Sequence, residues 1–260
     1  MKYKNLERLI EIFEILRGEN GCVWDRAQTH ETLIPNMLEE AYEAVEAIKE
    51  GRPEHIREEL GDVLLQVVLH SQIAKDNKEF DIEDVAKELN EKLIHRHPHV
   101  FGDASVSSKE DVLEKWEELK KIEKKERKSQ MDGIPITLPA LMACQKISKR
   151  AIKVGFEWDK VETLMECVNS EFDEFFDEFK KNDKDAMEDE MGDILFAVVN
   201  LARWHNIDAE QALLRANRKF IKRFKMMEKL ATKPLEDYSF EEYDKLWKSA
   251  KREILEKEQA

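Results

Sequence analysis

Four acidic side chains in this chain have the spacing to hold a divalent cation. Glu40 and Glu43 lie three residues apart, and so do Glu59 and Asp62. Residues three apart on a helix share a face. Gly51-Arg52-Pro53 stands between the two pairs, and Gly followed by Pro stops one helix and leads into the next. A short turn between helices makes an antiparallel hairpin, in which positions equally far from the turn sit level. Glu43 and Glu59 are each roughly 10 Å from the turn at 1.5 Å per residue. Glu40 and Asp62 are level one helical turn further out. Four carboxylates are therefore expected to converge, and their hard oxygens suit Mg²⁺, with Mn²⁺ as a substitute.

The setting of these acids separates them from the others. Asp62 interrupts Leu60-Gly61-Asp62-Val63-Leu64-Leu65-Gln66-Val67-Val68-Leu69, a stretch apolar nearly all round, which reads as a buried helix. Asp193 sits in the same way in Gly192-Asp193-Ile194-Leu195-Phe196-Ala197-Val198-Val199, and Glu40 falls in the stripe Met37, Glu40, Ala41, Ala44, Ile48. A buried, unpaired carboxylate is costly, so it protonates or finds a partner. The partner is a cation, or else the acids belong to a buried salt-bridge cluster. A di-iron bundle needs Glu-x-x-His pairs, and the second acid pair lacks the His. The group His95, His97, His99 is interrupted by Pro98, has no nearby Cys and has no second copy, so it does not read as a zinc site.

The pattern occurs twice. Glu171, Glu174, Glu190 and Asp193 repeat Glu40, Glu43, Glu59 and Asp62 at a constant offset of 131 residues (171 − 40, 193 − 62). Trp247 repeats Trp116 at the same offset (247 − 116), and Gly155-x-x-Trp158-Asp159 echoes Gly21-x-x-Trp24-Asp25. Asn90-x-Lys92-x-x-x-Arg96 returns as Asn217-x-Lys219-x-x-x-Arg223. Acids align by chance in so acidic a chain; Trp, Asn, Lys and Arg in the same order do not. The chain is a tandem duplication.

The elements that must position these groups are helices. Leu6, Leu9, Ile10, Phe13 and Leu16 form one stripe over residues 4–17, followed by a loop over 18–28. The acidic hairpin comes next, its second helix running to about Lys75. A helix over 82–95 is opened by Asp81 as N-cap. Pro98 and Gly102 make 96–102 a loop, and Ser107 or Ser108 caps a helix carrying Trp116 that runs into the charged stretch 120–128. Lys92 with Arg96, and Lys219 with Arg223, are four apart on one face. Such pairs usually form a surface ion-pair face, but recurrence behind each acid cage favours phosphate binding. Trp116 and Trp247 either anchor the core or stack on a base; Trp24 and Trp158 pack or position their loops.

Composition sets the outer bounds. With 260 residues, 42% hydrophobic, 38% charged, 8 Gly and 6 Pro, the chain is long enough for two helical domains. The expected division is 1–128 and 134–260 around a linker at 129–133, marked by Asp132-Gly133-Ile134-Pro135. A net charge of −14 argues against nucleic acid as a partner. No apolar run is of membrane-span length, and the charged N-terminus does not read as a signal peptide. Cys22, Cys144 and Cys167 are odd in number and scattered, as in a reducing, cytoplasmic protein.

Glu39-Glu40-x-x-Glu43 with Glu59-x-x-Asp62 resembles the motif of the MazG nucleoside triphosphate pyrophosphohydrolases. The similarity extends to Gly-Cys-Val-Trp-Asp at 21–25, Arg-His-Pro-His-Val-Phe at 96–101, Leu-Pro-Ala-Leu at 138–141 and Val-Gly-Phe-Glu-Trp at 154–158. The resemblance implies an all-α enzyme of two tandem helical-bundle domains. Its activity would be Mg²⁺-dependent hydrolysis of NTPs and dNTPs to the monophosphate and pyrophosphate, in a homodimer or higher homo-oligomer. It further implies that the C-terminal copy is the active one. Glu171, Glu174, Glu190 and Asp193 would then hold the metal, Lys219 and Arg223 the phosphates, and Trp247 the nucleotide. Their first-copy equivalents are Glu40, Glu43, Glu59, Asp62, Lys92, Arg96 and Trp116. The motif's first acid is Glu39 in the first copy but Ser170 in the second, so either copy could turn over substrate. Glu39, Glu40 and Glu171 are the candidates to take the proton of an attacking water. Two rival functions stand beside this one: a non-catalytic dimerisation or regulatory module stabilised by metal, and a phosphatase releasing NDP and phosphate.

Overall fold

The computed structural model describes residues 3–109, 111, 112, 115, 116, 119 and 128–259. Every regular element among them is helical, as the low Gly and Pro content requires. The chain divides into two compact units, Met1–Lys125 and Glu126–Ala260. The charged run 120–127 lies outside the described residues.

Unit 1 begins with α1 (Lys4–Arg17) and α2 (Val23–Ala27), the latter a single helical turn inside the stretch expected to be a loop. The acidic hairpin follows as α3 (Ile34–Glu50) and α4 (Pro53–Asp76). Gly51 closes α3 at φ 74°, its N–H reaching the Ala47 carbonyl, and Pro53 opens α4. Only a residue without Cβ takes that left-handed conformation at no steric cost. Helix α5 (Ile82–Arg96) starts at Asp81, whose side chain accepts from Glu83 N–H and Asp84 N–H in a reciprocal capping box with Asp84. The 96–102 segment is not all loop. Pro98–Phe101 forms a further turn, α6, because proline at the first helical position needs no hydrogen-bond acceptor there. The described residues between 109 and 119 are helical, and Ser108 Oγ accepts from Asp111 N–H at 3.1 Å.

Helix α4 packs against α1, α3 and α5. Phe13, Leu33, Val68, Leu69 and Ile73 make the core, flanked by Leu9, Ile10, Leu16, Leu65 and Ile82. Leu6, the first residue of the expected stripe, stays exposed. Arg17 ties the base of the unit together: its Nε meets Asp76 at 2.7 Å and its Nη1 donates to the carbonyls of Asp25 and Gln28. His30 and His70 stack in parallel with Nδ1 atoms 2.8 Å apart, so the two rings share one hydrogen there. Burial, and then His30, pushes the His70 pKa down.

Unit 2 repeats the plan with α7 (Ala140–Ile152), α8 (Val161–Lys181), α9 (Lys184–Trp204), α10 (Ala209–Leu230) and α11 (Phe240–Gln259). Here Asn182 takes the left-handed conformation at φ 57°, and Asp183 caps α9 by accepting from Ala186 N–H at 3.2 Å. Different turn chemistry therefore produces the same hairpin. Helix α9 packs against α7, α8 and α10. Leu164, Val168 and Ala197 form the core cluster with Trp158, Leu201 and Trp204 against it. Trp158 thus packs as expected, whereas Trp24 is exposed. Polar links also hold this unit together. Gln145 Nε2 donates to the Ile207 carbonyl at 2.8 Å, and its Oε1 accepts from Ala209 N–H at 3.1 Å. Arg203, buried, grips both oxygens of Glu157 at 2.8 and 2.7 Å.

Candidate metal centres in the two hairpins

Each hairpin brings three of its four expected acids to one point. In unit 1 these are Glu40 from α3 with Glu59 and Asp62 from α4; in unit 2, Glu171 from α8 with Glu190 and Asp193 from α9. Within each group one oxygen per residue lies within 4.8 Å of the others. Level positions across the turn and the three-residue step along the second helix produce this, as the spacing requires. Glu43 and Glu174 stand outside these groups but close enough to act on them. Burial raises the Glu40 pKa first, and then the negative charges of Asp62, Glu43, Glu39 and Glu59 raise it further. Glu190 is raised in the same order of causes, by desolvation and then by Glu174, Asp193, Glu171 and Glu178.

The burial pattern differs from the expectation. Asp62 is half-buried and Asp193 is exposed. The acid taken from water in unit 1 is Glu59, only 9% exposed. The apolar faces that suggested a buried helix remain partly open: Leu60, Leu64, Leu195, Phe196 and Val198 are all exposed within the chain. A helix apolar all round is buried only if something covers every side, and among the described residues one side of each of these helices stays open.

Glu59 Oε1 faces His55 Nε2 at 3.1 Å, whereas Oε2 is buried with no hydrogen-bond partner. An orphaned carboxylate oxygen beside two more carboxylates is costly to desolvate. A hard dication would satisfy it and cancel the repulsion, so the donor set fits Mg²⁺ or Mn²⁺. The same electrostatics yields a measurable expectation. Glu40 has a folded pKa above its unfolded value, so in metal-free protein its ionised form costs stability at neutral pH. That cost vanishes as pH falls through the raised pKa. Glu40→Gln is therefore expected to raise the melting temperature in chelator at pH 7.5, and to lose this advantage at pH 4.5 or in saturating Mg²⁺. Thermal melts under the three conditions check it, and a variant melting lower than the parent in chelator refutes it.

In unit 2 the Ser170 hydroxyl donates to the Cys167 carbonyl at 2.9 Å, turning back onto its own helix rather than replacing the missing acid. Cys167 Sγ, one turn before Glu171, lies 3.6 Å from Glu171 Oε1. Burial and then the Glu171 charge raise its pKa.

The basic pairs ride on α5 and α10, the helices that pack next to α4 and α9. Arg96 holds its guanidinium carbon 5.5 Å from the Trp116 ring centre, and Arg223 does the same over Trp247 at 5.6 Å. The two tryptophans thus carry arginines on their faces, an attraction of cation to ring quadrupole that holds the guanidinium in place. His97 meets Trp116 edge-on at 4.8 Å, and Phe220 fills the comparable role against Trp247 at 5.2 Å. Lys92 and Lys219 are exposed, with Lys92 3.6 Å from Glu88. Sequence reasoning missed His55 and Glu58, which group with Glu59; a His four residues before the buried Glu was the available signal.

Known proteins resemble the chain over these same segments. The family model for the MazG nucleotide pyrophosphohydrolase domain matches residues 28–101 and again residues 159–227, one match in each unit. A relative in Thermotoga maritima, named nucleoside triphosphate pyrophosphohydrolase/pyrophosphatase MazG, is 47% identical over 94% of this chain and 95% of its own. The nucleoside triphosphate pyrophosphohydrolase of Escherichia coli K12 is 42% identical over 96% of this chain and 98% of its own.

Proposed function

The chain belongs to the MazG nucleotide pyrophosphohydrolase family, and from that premise we propose that it hydrolyses nucleoside triphosphates, deoxynucleotides included, to the monophosphate and pyrophosphate. The observation that carries this reading is the repeated pairing of an acid triad on one hairpin with an arginine seated on tryptophan from the helices that follow.

Glu40, Glu59 and Asp62 in unit 1, and Glu171, Glu190 and Asp193 in unit 2, would hold Mg²⁺, with Glu43 and Glu174 adding negative charge beside them. An ion held there would supply Lewis-acid polarisation of the triphosphate and make water at the site more acidic. Water attacks the α-phosphorus, and pyrophosphate leaves. Lys219 and Arg223, or Lys92 and Arg96, neutralise the charge that grows on the departing group. Trp247 and Trp116 keep the arginines aimed, which spares the cost of ordering a long side chain during reaction. A glutamate takes the proton from the attacking water. Glu39 and Glu40 are the candidates in unit 1 and Glu171 in unit 2, where Ser170 cannot serve.

Chromatography of the products of ATP and dGTP tests the reaction. Monophosphate and pyrophosphate in equal amounts are expected, dependent on Mg²⁺. Diphosphate and phosphate would assign a phosphatase instead, and no turnover would leave a metal-stabilised module.

The proposal extends to a homodimer or higher homo-oligomer working in the cytoplasm. Exposed Phe172, Phe176, Leu195, Phe196 and Val198 on α8 and α9 support self-association, since apolar surface on both helices of one hairpin is costly to leave in water. Sedimentation of the intact chain is expected to give at least twice the 30.7 kDa monomer mass; a monomer at micromolar concentration refutes it. Three unpaired cysteines support a reducing compartment, and no helix among the described residues is long and apolar enough to cross a membrane.

A further inference from the structure

Glu59 belongs to two groups of potential ligands. Besides Glu40 and Asp62 it stands with His55 and Glu58, one ligand atom from each of these three lying within 4.8 Å of the others. His55 occupies the first turn of α4, immediately after the Gly51 turn. Its Nε2 is 3.1 Å from Glu59 Oε1, and its Nδ1 is 2.9 Å from Glu50 Oε2 at the end of α3. Glu50 is itself held by Arg52, whose Nη2 and Nε reach the same oxygen at 2.5 and 3.2 Å and whose Nη2 also passes 3.2 Å from His55 Nδ1. A carboxylate accepting from one ring nitrogen fixes the tautomer and leaves the other nitrogen, here turned toward Glu59, to serve as a ligand, an arrangement typical of metal-bound histidine. The other Glu59 oxygen is buried without a partner.

We propose that His55, Glu58 and Glu59 form a second cation site in unit 1, selective for a transition dication that takes imidazole nitrogen, with Glu59 shared between this site and the Glu40–Asp62 pair. Carboxylates alone suit Mg²⁺, whereas one nitrogen donor moves preference toward Co²⁺, Ni²⁺ or Zn²⁺. Unit 2 cannot form the equivalent. At the repeat offset of 131 its residues are Ala186, Asp189 and Glu190, and Lys181 stands where unit 1 has Glu50. The nitrogen donor and the carboxylate that orients it are both missing. The two hairpins therefore differ in metal chemistry although their acid triads are alike. The inference rests on the reading of the acid groups as cation sites only through Glu59, and it requires no turnover in unit 1.

Co²⁺ binding to the intact chain tests it, read by equilibrium dialysis and by the visible absorption of nitrogen-ligated Co²⁺ in saturating Mg²⁺. One equivalent of Co²⁺ per chain is expected to resist Mg²⁺. His55→Ala should weaken it about 100-fold and Glu50→Gln about tenfold, on the order of magnitude for ligand-orienting partners. His55→Gln keeps polarity and bulk but has no imidazole, and gives the same readout if the alanine variant misfolds. Asp62→Asn should retain Co²⁺ while its Mg²⁺ affinity falls, so the outer site and the Mg²⁺ reading fail separately. The proposal is overturned if no Co²⁺ is held against Mg²⁺, if His55→Ala and His55→Gln bind it as the parent does, or if loss follows His97→Ala instead.

Discussion

Asp62→Asn combined with Asp193→Asn is expected to abolish Mg²⁺-dependent release of pyrophosphate, lowering kcat/KM at least about 100-fold, equivalent to roughly 2.7 kcal/mol of barrier. Each substitution keeps the size and shape of the side chain and removes one negative charge from a triad held within 4.8 Å. The ion would lose a charged ligand in both units, and with it the polarisation that makes a water nucleophilic at neutral pH. Neither residue supports the core: Asp193 is exposed and Asp62 half-buried, so folding should survive. Removal of one charge should even ease repulsion in metal-free protein. The single variants then apportion turnover between the units. The loss is expected to follow the unit that turns over, while the other single variant stays near the parent. Parental activity in the double variant would remove both hairpins from the reaction. Steady-state assays of pyrophosphate release, with circular dichroism to verify the fold, make the comparison.

Arg203→Ala should destabilise unit 2 by about 3 kcal/mol, at the lower end of the cost of breaking a buried ion pair because Glu157 keeps some access to water. The arginine side chain is 8% exposed and that of Glu157 25%. Its Nε also lies 3.4 Å from Asn200 Oδ1, which accepts from the Ser148 hydroxyl as well. Truncation therefore strands a carboxylate and weakens a buried amide in one step, in a unit whose core cluster is small. Arg203 sits one residue from the end of α9, the helix that carries Glu190 and Asp193, so its loss should loosen that helix in particular. Hydrogen exchange is the suitable reading, because it follows α9 and α4 separately. Faster exchange in α9 with α4 unchanged is expected. Equal protection of both helices in parent and variant would show that the pair contributes little.

The acid geometry was legible because it depends on helical arithmetic. A three-residue step places Glu59 beside Asp62, and equal distances from Gly51 bring Glu40 level with Asp62, whatever the rest of the chain does. Asn182 and Asp183 in unit 2 show how far this goes, since they reach the same hairpin without Gly or Pro. The capping box at Asp81 was readable for the same local reason. Two things were not. Pro98 is a stop signal in the sequence, yet it opens a helical turn, and its role depends on whether the preceding chain leaves it at a first helical position. Apolar flanks predict burial of Asp62 and Asp193, yet exposure depends on what covers the helix, and Asp62 is half-buried and Asp193 exposed.

The order of residue types along the chain, and the 131-residue repeat, settled by themselves that this protein is all-helical and doubled, with the acids of each copy on facing helices. Local backbone geometry suffices for that. Tertiary structure alone decided which carboxylate loses water, that Arg96 and Arg223 lie over tryptophan, and that His55, held by Glu50, turns its second nitrogen toward Glu59. Those relations join side chains through space, with rotamers set by packing and by charge, and no spacing rule in one dimension contains them.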